Sequence, residues 1–308
     1  MRVNDPFTPA GLGWLFRMPR PELLRHCRVR PTSDSECRVS NLIDLKAILI
    51  IALIFLPLER LLPLHAEQSP ARRHWLNDVV YLVFNGILIK LGLLLVIVVA
   101  MLAVHRLVPD SLTAAVQSQP VWLQAIEVLL IADTGFYLAH RAFHAVPFLW
   151  RFHSIHHSIE EMDWLAAHRV HPVDQILTKS ASLLPLFALG FSNSAILIFT
   201  LIYQWQSLLI HSNTRIKFGP LKWLVASPQF HHWHHANQRE AYDKNFAGQL
   251  PFLDMLGGTL FMPDRMPDKY GVDDPVPHLY HQQLAYPFVA NTAALAPREL
   301  AAETPREH

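Results

Sequence analysis

The sequence predicts an all-α fold: a bundle of apolar helices in a membrane, with a histidine-rich helical cap at one end. Two observations carry this expectation. Hydrophobic residues make up 51% of the 308 residues and charged residues 17%, with a mean hydropathy of +0.20, whereas soluble domains are about a quarter charged. In addition, 12 of the 19 histidines lie between His140 and His235. The chain therefore combines long apolar stretches with one concentrated set of imidazoles.

Four stretches approach the roughly 20 apolar residues that a membrane-spanning helix needs. The last is interrupted near its middle by the turn signal Gly190-Phe191-Ser192-Asn193, so we interpret it as two helices in a hairpin. The alternative, buried helices of a large soluble protein, is disfavoured because 79–104 is too uniformly apolar for an amphipathic helix. The stretches are 42–58, 79–104, 121–138 and 175–210.

Basic residues indicate the orientation of the bundle. Connection 59–78 and the segment after residue 138 carry several arginines, whereas 105–120 carries one, Arg106. Because positively charged loops stay in the cytoplasm, we expect the cap to face the cytoplasm. Whether 42–58 also spans stays open, since that would place the Arg-rich segment 1–40 outside. No signal peptide is expected in 1–40.

Charge and cysteine content exclude several classes of protein. The 26 basic and 25 acidic residues give a net charge of +1, so no nucleic-acid partner is expected. Cys27 and Cys37 both precede the apolar region. A disulfide framework therefore does not hold the fold together.

Three histidine clusters follow the third apolar stretch, with the sequences HRAFH, HSIHH and HHWHH. Residues three or four apart share one face of a helix, so each cluster is expected to present two or three rings to one point. Neutral imidazole is a common ligand of transition metals. Two copies of HxxHH arise by chance in only about 0.002 of such chains. The candidate ligands are His140, His144, His153, His156, His157, His231, His234 and His235.

Other residues are candidates for completing or supporting such a site. For His171 and His211, two interpretations are equally good: a metal ligand, or a neighbour that hydrogen-bonds to a ligand. His168 and His232 are expected not to be ligands. Asp133 lies seven residues before His140, on roughly the same helix face, and could accept its second ring N–H. A carboxylate facing the helix dipole or a pore is the alternative for Asp133. The candidate outer partners are Asp133, Asp174, Asp243 and Asn245.

The order of these motifs resembles the fatty acid hydroxylase superfamily, the sterol desaturase-type membrane di-iron oxygenases. HRAFH at 140–144, HSIHH at 153–157, RVHP at 169–172, IHSN at 210–213 and HHWHH at 231–235 carry the resemblance, which covers roughly 40–290. It implies a cytoplasmic cap with two metals, iron in the working enzyme, although zinc can replace iron in a purified sample. Ser207 stands where fatty acid 2-hydroxylase-like members carry another histidine.

The resemblance also implies the reaction: oxidation of a lipid C–H bond with O2 as co-substrate. Hydroxylation and desaturation both remain open, as do sterol, fatty acyl, sphingolipid and alkylglycerol substrates. The chain has no dinucleotide-binding or iron–sulfur motif, so a separate reductase with a cytochrome or ferredoxin is expected. Basic residues could dock that carrier or could only mark the cytoplasmic side: Arg72, Arg73, Arg141, Arg151, Arg169, Lys217 and Lys222.

Two other functions also use histidine. A membrane metal-binding or transport protein would place its site near the bilayer midplane, whereas these clusters follow the apolar helices. A zinc hydrolase needs about three protein ligands, too few to employ eight histidines. The expected division is an N-terminal segment 1–40, transmembrane helices 41–139, a His-box domain 140–290 with a membrane hairpin at 175–211, and a tail 291–308.

Overall fold

The computed structural model describes residues 45–104 and 108–289, so the predictions for 1–40 and 291–308 lie outside the described residues. Within those ranges the chain is helical, with two isolated β-bridges and no strand. A π-helical turn, Tyr81–Asn85, joins α2 to α3, and a 3-10 turn covers Trp164–His168. The helices are α1 Leu45–Leu61, α2 Trp75–Val80, α3 Gly86–Val104, α4 Asp110–Ser118, α5 Val121–Ala145, α6 Pro147–His157, α7 Pro172–Leu189, α8 Asn193–His211, α9 Pro228–His234, α10 Phe252–Gly257 and α11 Tyr280–Val289.

Three helical segments in the described ranges are long and apolar enough to cross a membrane: Trp75–Val98, Val121–Ala145 and Asn193–His211. Their outer faces carry exposed leucines, such as Leu91, which is 59% exposed, and Leu201, which is 53% exposed. Lipid tails cover such side chains without cost, and a helix satisfies its own backbone there. The predicted all-α membrane fold is therefore confirmed. The side of the membrane on which the cap lies stays a prediction.

The break predicted within the last apolar stretch is present. Gly190 ends α7 in the left-handed region with φ 75°, and its backbone N–H bonds back to α7 carbonyls. Ser192 then begins α8, its hydroxyl accepting the N–H of Ala195. Glycine at the end of one helix and serine at the start of the next are the residues these positions favour. The stretch is therefore two helices separated by a break, as expected, and both pack against α5.

Helices α5 and α7 approach each other closely at Gly135. A Cβ at this position would lie 2.2 Å from the carbonyl oxygen of Ala181, so only glycine permits the contact. Val128, Leu186 and Phe199 fill the core between α5, α7 and α8. This packing brings the C-terminal ends of α5 and α8 and the N-terminal end of α7 together beneath the cap.

A buried ion-pair network ties the cap to the start of the second apolar helix. Asp78, which is fully buried, accepts hydrogen bonds from Arg72 at 2.6 Å and from Arg169 at 2.5 and 2.9 Å. Arg72 also forms a bidentate pair with Asp163. Because Arg72 and Arg169 are only 3% and 4% exposed, the proposal that they dock an electron carrier is wrong for these two residues.

Candidate metal centre

Nine histidine rings converge where α5, α6, α8 and α9 meet. They form two groups, and within each group one nitrogen per ring lies within 4.8 Å of the others. All nine are buried except His144, which is half-buried. The first group is His140, His144, His153, His157 and His234, and the second is His156, His211, His231 and His235.

Each HxxHH motif contributes to both groups, which differs from the expectation that a cluster serves one point. His153 and His157 enter the first group, whereas His156 enters the second. The same division separates His234 from the pair His231 and His235. In each motif the first and last histidines, four residues apart, belong to one group. The histidine between them, three residues after the first, belongs to the other group. Two neighbouring groups can therefore take their rings from one turn of a helix.

The Nδ1 atoms of five rings are held by acceptors. A carbonyl oxygen can only accept a hydrogen bond, so a ring nitrogen beside one must carry the proton. When such a ring is neutral its lone pair is on Nε2, the arrangement typical of metal-bound histidine. The donors and acceptors are His140 to Phe246 O at 2.7 Å, His153 to Asp174 at 2.7 Å, His156 to Arg169 O at 3.0 Å, His211 to Ser207 O at 2.6 Å and His234 to Lys244 O at 2.8 Å.

These tautomers leave lone pairs pointing at one another. The Nε2 atoms of His140 and His153 are 2.9 Å apart in the first group, and those of His156 and His211 are 3.2 Å apart in the second. No proton stands between them, because each ring has its proton on Nδ1. The Nε2 of His234 is likewise buried and has no hydrogen-bond partner among the described residues. Facing lone pairs repel unless a cation lies between them, so the donor set fits one metal ion in each group.

Burial favours the neutral form of five of these rings. It lowers the pKa values of His156, His157, His231 and His235 well below the ordinary value, and the neighbouring imidazoles lower them further. Burial also lowers the pKa of His234, to about 3. A neutral imidazole is the form that binds a metal. At neutral pH these five rings are therefore in the form that binds a cation.

Two of the remaining histidines form their own hydrogen bonds away from the two groups. His171 accepts the N–H of Val173 on Nδ1 at 3.1 Å and donates from Nε2 to the carbonyl of Leu284 at 3.2 Å. Both nitrogens are therefore engaged, and His171 lies outside both groups. His232 is bonded to Tyr270 and Ser212 and also lies outside them.

The candidate outer residues differ in what they contact. Asp174 accepts from His153, and a carboxylate oxygen of Asp243 lies 3.3 Å from Nδ1 of His144. Asp133 does not contact a ligand ring. Its oxygens accept the backbone N–H groups of 248–250, because that loop passes close to α5 with a glycine at its nearest point. The side chain of Asn245 likewise bonds to backbone groups, those of Phe230 and Phe261.

The loop at 243–250 is a part of the site that the motifs did not reveal. It supplies the carbonyls of Lys244 and Phe246 that orient two rings. Asn245 holds a positive φ of 60° and bonds to the backbone of Phe230 and Phe261. Asp254 accepts the N–H groups of Phe246 and Ala247. Asp254 and Asn245 therefore position the loop, and the loop positions the rings.

Comparison with known proteins agrees with this geometry. The model of the family described as Fatty acid hydroxylase matches residues 125–259. Ornithine lipid hydroxylase OlsE from Rhizobium tropici is 30% identical over 83% of this chain and 77% of its own length. The chain belongs to the fatty acid hydroxylase family. The resemblance carried by the histidine motifs is thereby confirmed.

Other relatives match shorter parts of the chain. Human alkylglycerol monooxygenase is 35% identical over 47% of the chain, which spans 32% of that protein. Very-long-chain aldehyde decarbonylase GL1-1 from Oryza sativa subsp. indica is 30% identical over 58% of the chain, again spanning 32% of the relative. No solved structure matches the chain. Its hydroxylase and monooxygenase relatives support an oxidoreductase that acts on lipids.

Proposed function

We propose that the protein is a membrane-bound, O2-dependent lipid hydroxylase with two irons held by its nine clustered histidines. The observation that carries this proposal is the facing of unprotonated Nε2 atoms in two adjacent groups, in a chain of the fatty acid hydroxylase family. When bound, the iron pair would supply the activation of O2 and the oxidation of an unactivated C–H bond. Zinc can take the same sites in a purified sample.

The protein contributes orientation and a dry environment. Imidazole ligands are neutral, so the two ions keep most of their positive charge, and buried Asp174 beside His153 offsets part of it. A small cavity of about 50 Å³ borders both groups on the membrane side, with Phe136, Tyr203 and Ile210 in its wall. The apolar side chains in this wall could receive a lipid C–H group beside the histidine rings.

Hydroxylation is favoured over desaturation because the relatives named as hydroxylase and monooxygenase match this chain. An ornithine lipid is the first substrate to test, since the ornithine lipid hydroxylase covers most of the chain. Alkylglycerols come next. Sterols, fatty acyl groups and sphingolipids remain open.

We also propose that electrons come from a separate reductase through a cytochrome or ferredoxin, and that the cap faces the cytoplasm. With Arg72 and Arg169 buried, the exposed basic residues Arg215, Lys217 and Arg73 remain available for an acidic carrier. The cytoplasmic side is supported by the position of the basic connections.

The alternative function is metal binding or transport without oxidation. The position of the groups argues against it, because His140 and His211 lie at the C-terminal ends of apolar helices. Transport sites are instead found near the bilayer midplane, at interruptions in helices.

Lipid mass spectrometry under heavy-oxygen gas tests the proposal. Cells that express the intact chain should contain a lipid with a labelled hydroxyl group. The His156→Ala variant should lack it, because His156 belongs to the second group. Identical lipid profiles would contradict the hydroxylase function. A new double bond without label would replace hydroxylation by desaturation.

A further inference from the structure

A second, larger cavity of about 410 Å³ opens between α1, α3 and the N-terminal half of α7. Ile48 and Ile51 from α1 and Leu82 and Ile89 from the second apolar segment form its apolar side. Such walls, within a membrane protein, suit a hydrocarbon chain. The cavity therefore has the environment of a lipid site.

One side of this cavity is polar and carries positive charge. Lys179, Lys90, His168 and Asn85 are among its lining residues, and no aspartate or glutamate is among the described residues that line it. No carboxylate in the described part of the chain interacts with Lys179. A cationic side chain inside a membrane protein is costly unless a partner compensates it. An anionic ligand would therefore compensate the charge of Lys179, which no carboxylate of the described residues does.

The neighbours of Lys179 have unused hydrogen-bonding atoms. The Nε2 atom of His168 and the Oδ1 atom of Asn85 are buried and have no partner among the described residues. The Asn85 oxygen only accepts hydrogen bonds, so it suits the ammonium group of Lys179, whereas a protonated Nε2 of His168 can donate to an anion. Asn85 is fixed in place because its amide group donates to the carbonyl of Val170 at 2.8 Å. Burial lowers the pKa of His168 to about 4, and the charge of Lys179 contributes to that lowering, so His168 is neutral. Native proteins rarely leave buried polar atoms unpaired.

This polar wall adjoins the metal centre. Gln175 and Ser207 line both the large cavity and the small one beneath the histidines. Lys179 lies one helical turn beyond Gln175 on α7. Ser207 has a short side chain, which leaves room between the two spaces. A ligand that reaches Lys179 can therefore extend toward the metals.

We propose that this cavity binds the headgroup of a lipid through an anionic oxygen group, a carboxylate or a phosphate, held by Lys179 and by the Nε2 of His168 as donors. The bound lipid then directs a nearby carbon into the small cavity at the metal centre. This last step rests on the function proposed above. The binding itself does not, since it depends only on the cavity and its charge.

Binding of short amphiphiles to the full, metal-loaded chain in a neutral maltoside detergent tests the proposal. The probes are N-dodecanoylglycine and dodecyl phosphate, with N-dodecanoylglycinamide as the uncharged match, and calorimetric titration gives the Kd. At least one anionic probe should bind roughly tenfold or more tightly than the neutral one, as expected for a charge-assisted hydrogen bond. Equal affinities for all three would overturn the proposal without any variant.

Variants then test the residue. Lys179→Met should lower the affinity for the anionic probe roughly tenfold, to that for the neutral probe. Lys179→Arg should retain most of the affinity. Lys46→Met, at an exposed lysine of α1, is the matched control and should bind as the wild type does. Unchanged affinity in Lys179→Met, with wild-type metal content, would remove Lys179 from the site.

Two further arms separate the alternatives. Acetate and inorganic phosphate alone should show no saturable binding, and binding as tight as that of the amphiphiles would replace the lipid by a free anion. A labelled lipid product without Lys179-dependent binding would overturn this site and leave the hydroxylase function standing. Lys179-dependent binding without any labelled product would leave the site standing and contradict the hydroxylase function.

Discussion

His153 donates a hydrogen bond from Nδ1 to a carboxylate oxygen of Asp174 at 2.7 Å, and both side chains are buried. This bond fixes the ring so that the Nε2 lone pair of His153 faces His140 and His157, at 2.9 and 3.1 Å. Helix α6 carries the histidine and α7 the carboxylate. The contact therefore joins α7 to the first group of rings.

Replacing Asp174 should weaken metal binding without removing a ligand. We expect Asp174→Asn to lower metal affinity about 10- to 100-fold, because the partner of a ligating histidine orients it and raises its basicity. Competition with a chelator of known affinity measures the change. Asp264→Asn is the control, since the side chain of Asp264 is 95% exposed. Equal affinities in both variants would show that the Asp174 contact has no role in metal binding.

Adjacent histidines of the third motif should behave differently. His231→Gln should lower the metal content of the purified chain, because His231 belongs to the second group. His232→Gln should leave the metal content unchanged, since the His232 ring bonds to Tyr270 and Ser212 instead. Elemental analysis per chain provides the comparison. Loss of metal in the His232 variant alone would reverse the assignment.

Motif spacing predicted the helices and the convergence of the rings, because both follow from helical periodicity. His153 and His157 are one turn apart in the sequence and fall in one group in the structure. The break at Gly190 was equally visible, since a glycine at that point ends a helix for local reasons. Local signals of this kind need no knowledge of the tertiary structure.

The orientation of the rings could not be predicted, because most of their partners are backbone carbonyls. Every residue has one, so Phe246 and Lys244 carry no signal in the sequence. Asp133 shares a helix face with His140, yet it binds the loop at 248–250, whose position depends on the tertiary fold. His171 likewise stands in the expected motif, but a carbonyl of α11 engages its Nε2 and the first turn of α7 engages its Nδ1.

The buried network around Asp78 should contribute strongly to stability. Asp78→Ala leaves Arg72 and Arg169 buried without their shared partner, and we expect the free energy of unfolding to fall by about 3–5 kcal/mol. Asp264→Ala, which breaks the exposed pair with Lys222, should cost about 0–1 kcal/mol. Denaturant unfolding in detergent compares the two. A loss below about 1 kcal/mol in both would contradict the importance of the network.

Acid should destabilise the protein. Burial lowers the pKa of His234 to about 3 and those of His156 and His235 well below their ordinary value. The unfolded chain binds protons near pH 6.5 and the folded chain does not, so the free energy of unfolding falls as the pH drops below about 6.5. Each such ring contributes up to about 1.4 kcal/mol per pH unit. Unfolding midpoints at pH 7.5 and 5.5 measure the effect, and equal midpoints would contradict it.

An anomalous-difference map, recorded at the iron edge from crystals of the iron-loaded chain, is the most direct test of the two-metal site. The account predicts two peaks, one among His140, His153 and His234 and the other among His156, His211 and His231. A single peak, or peaks away from these rings, would contradict it.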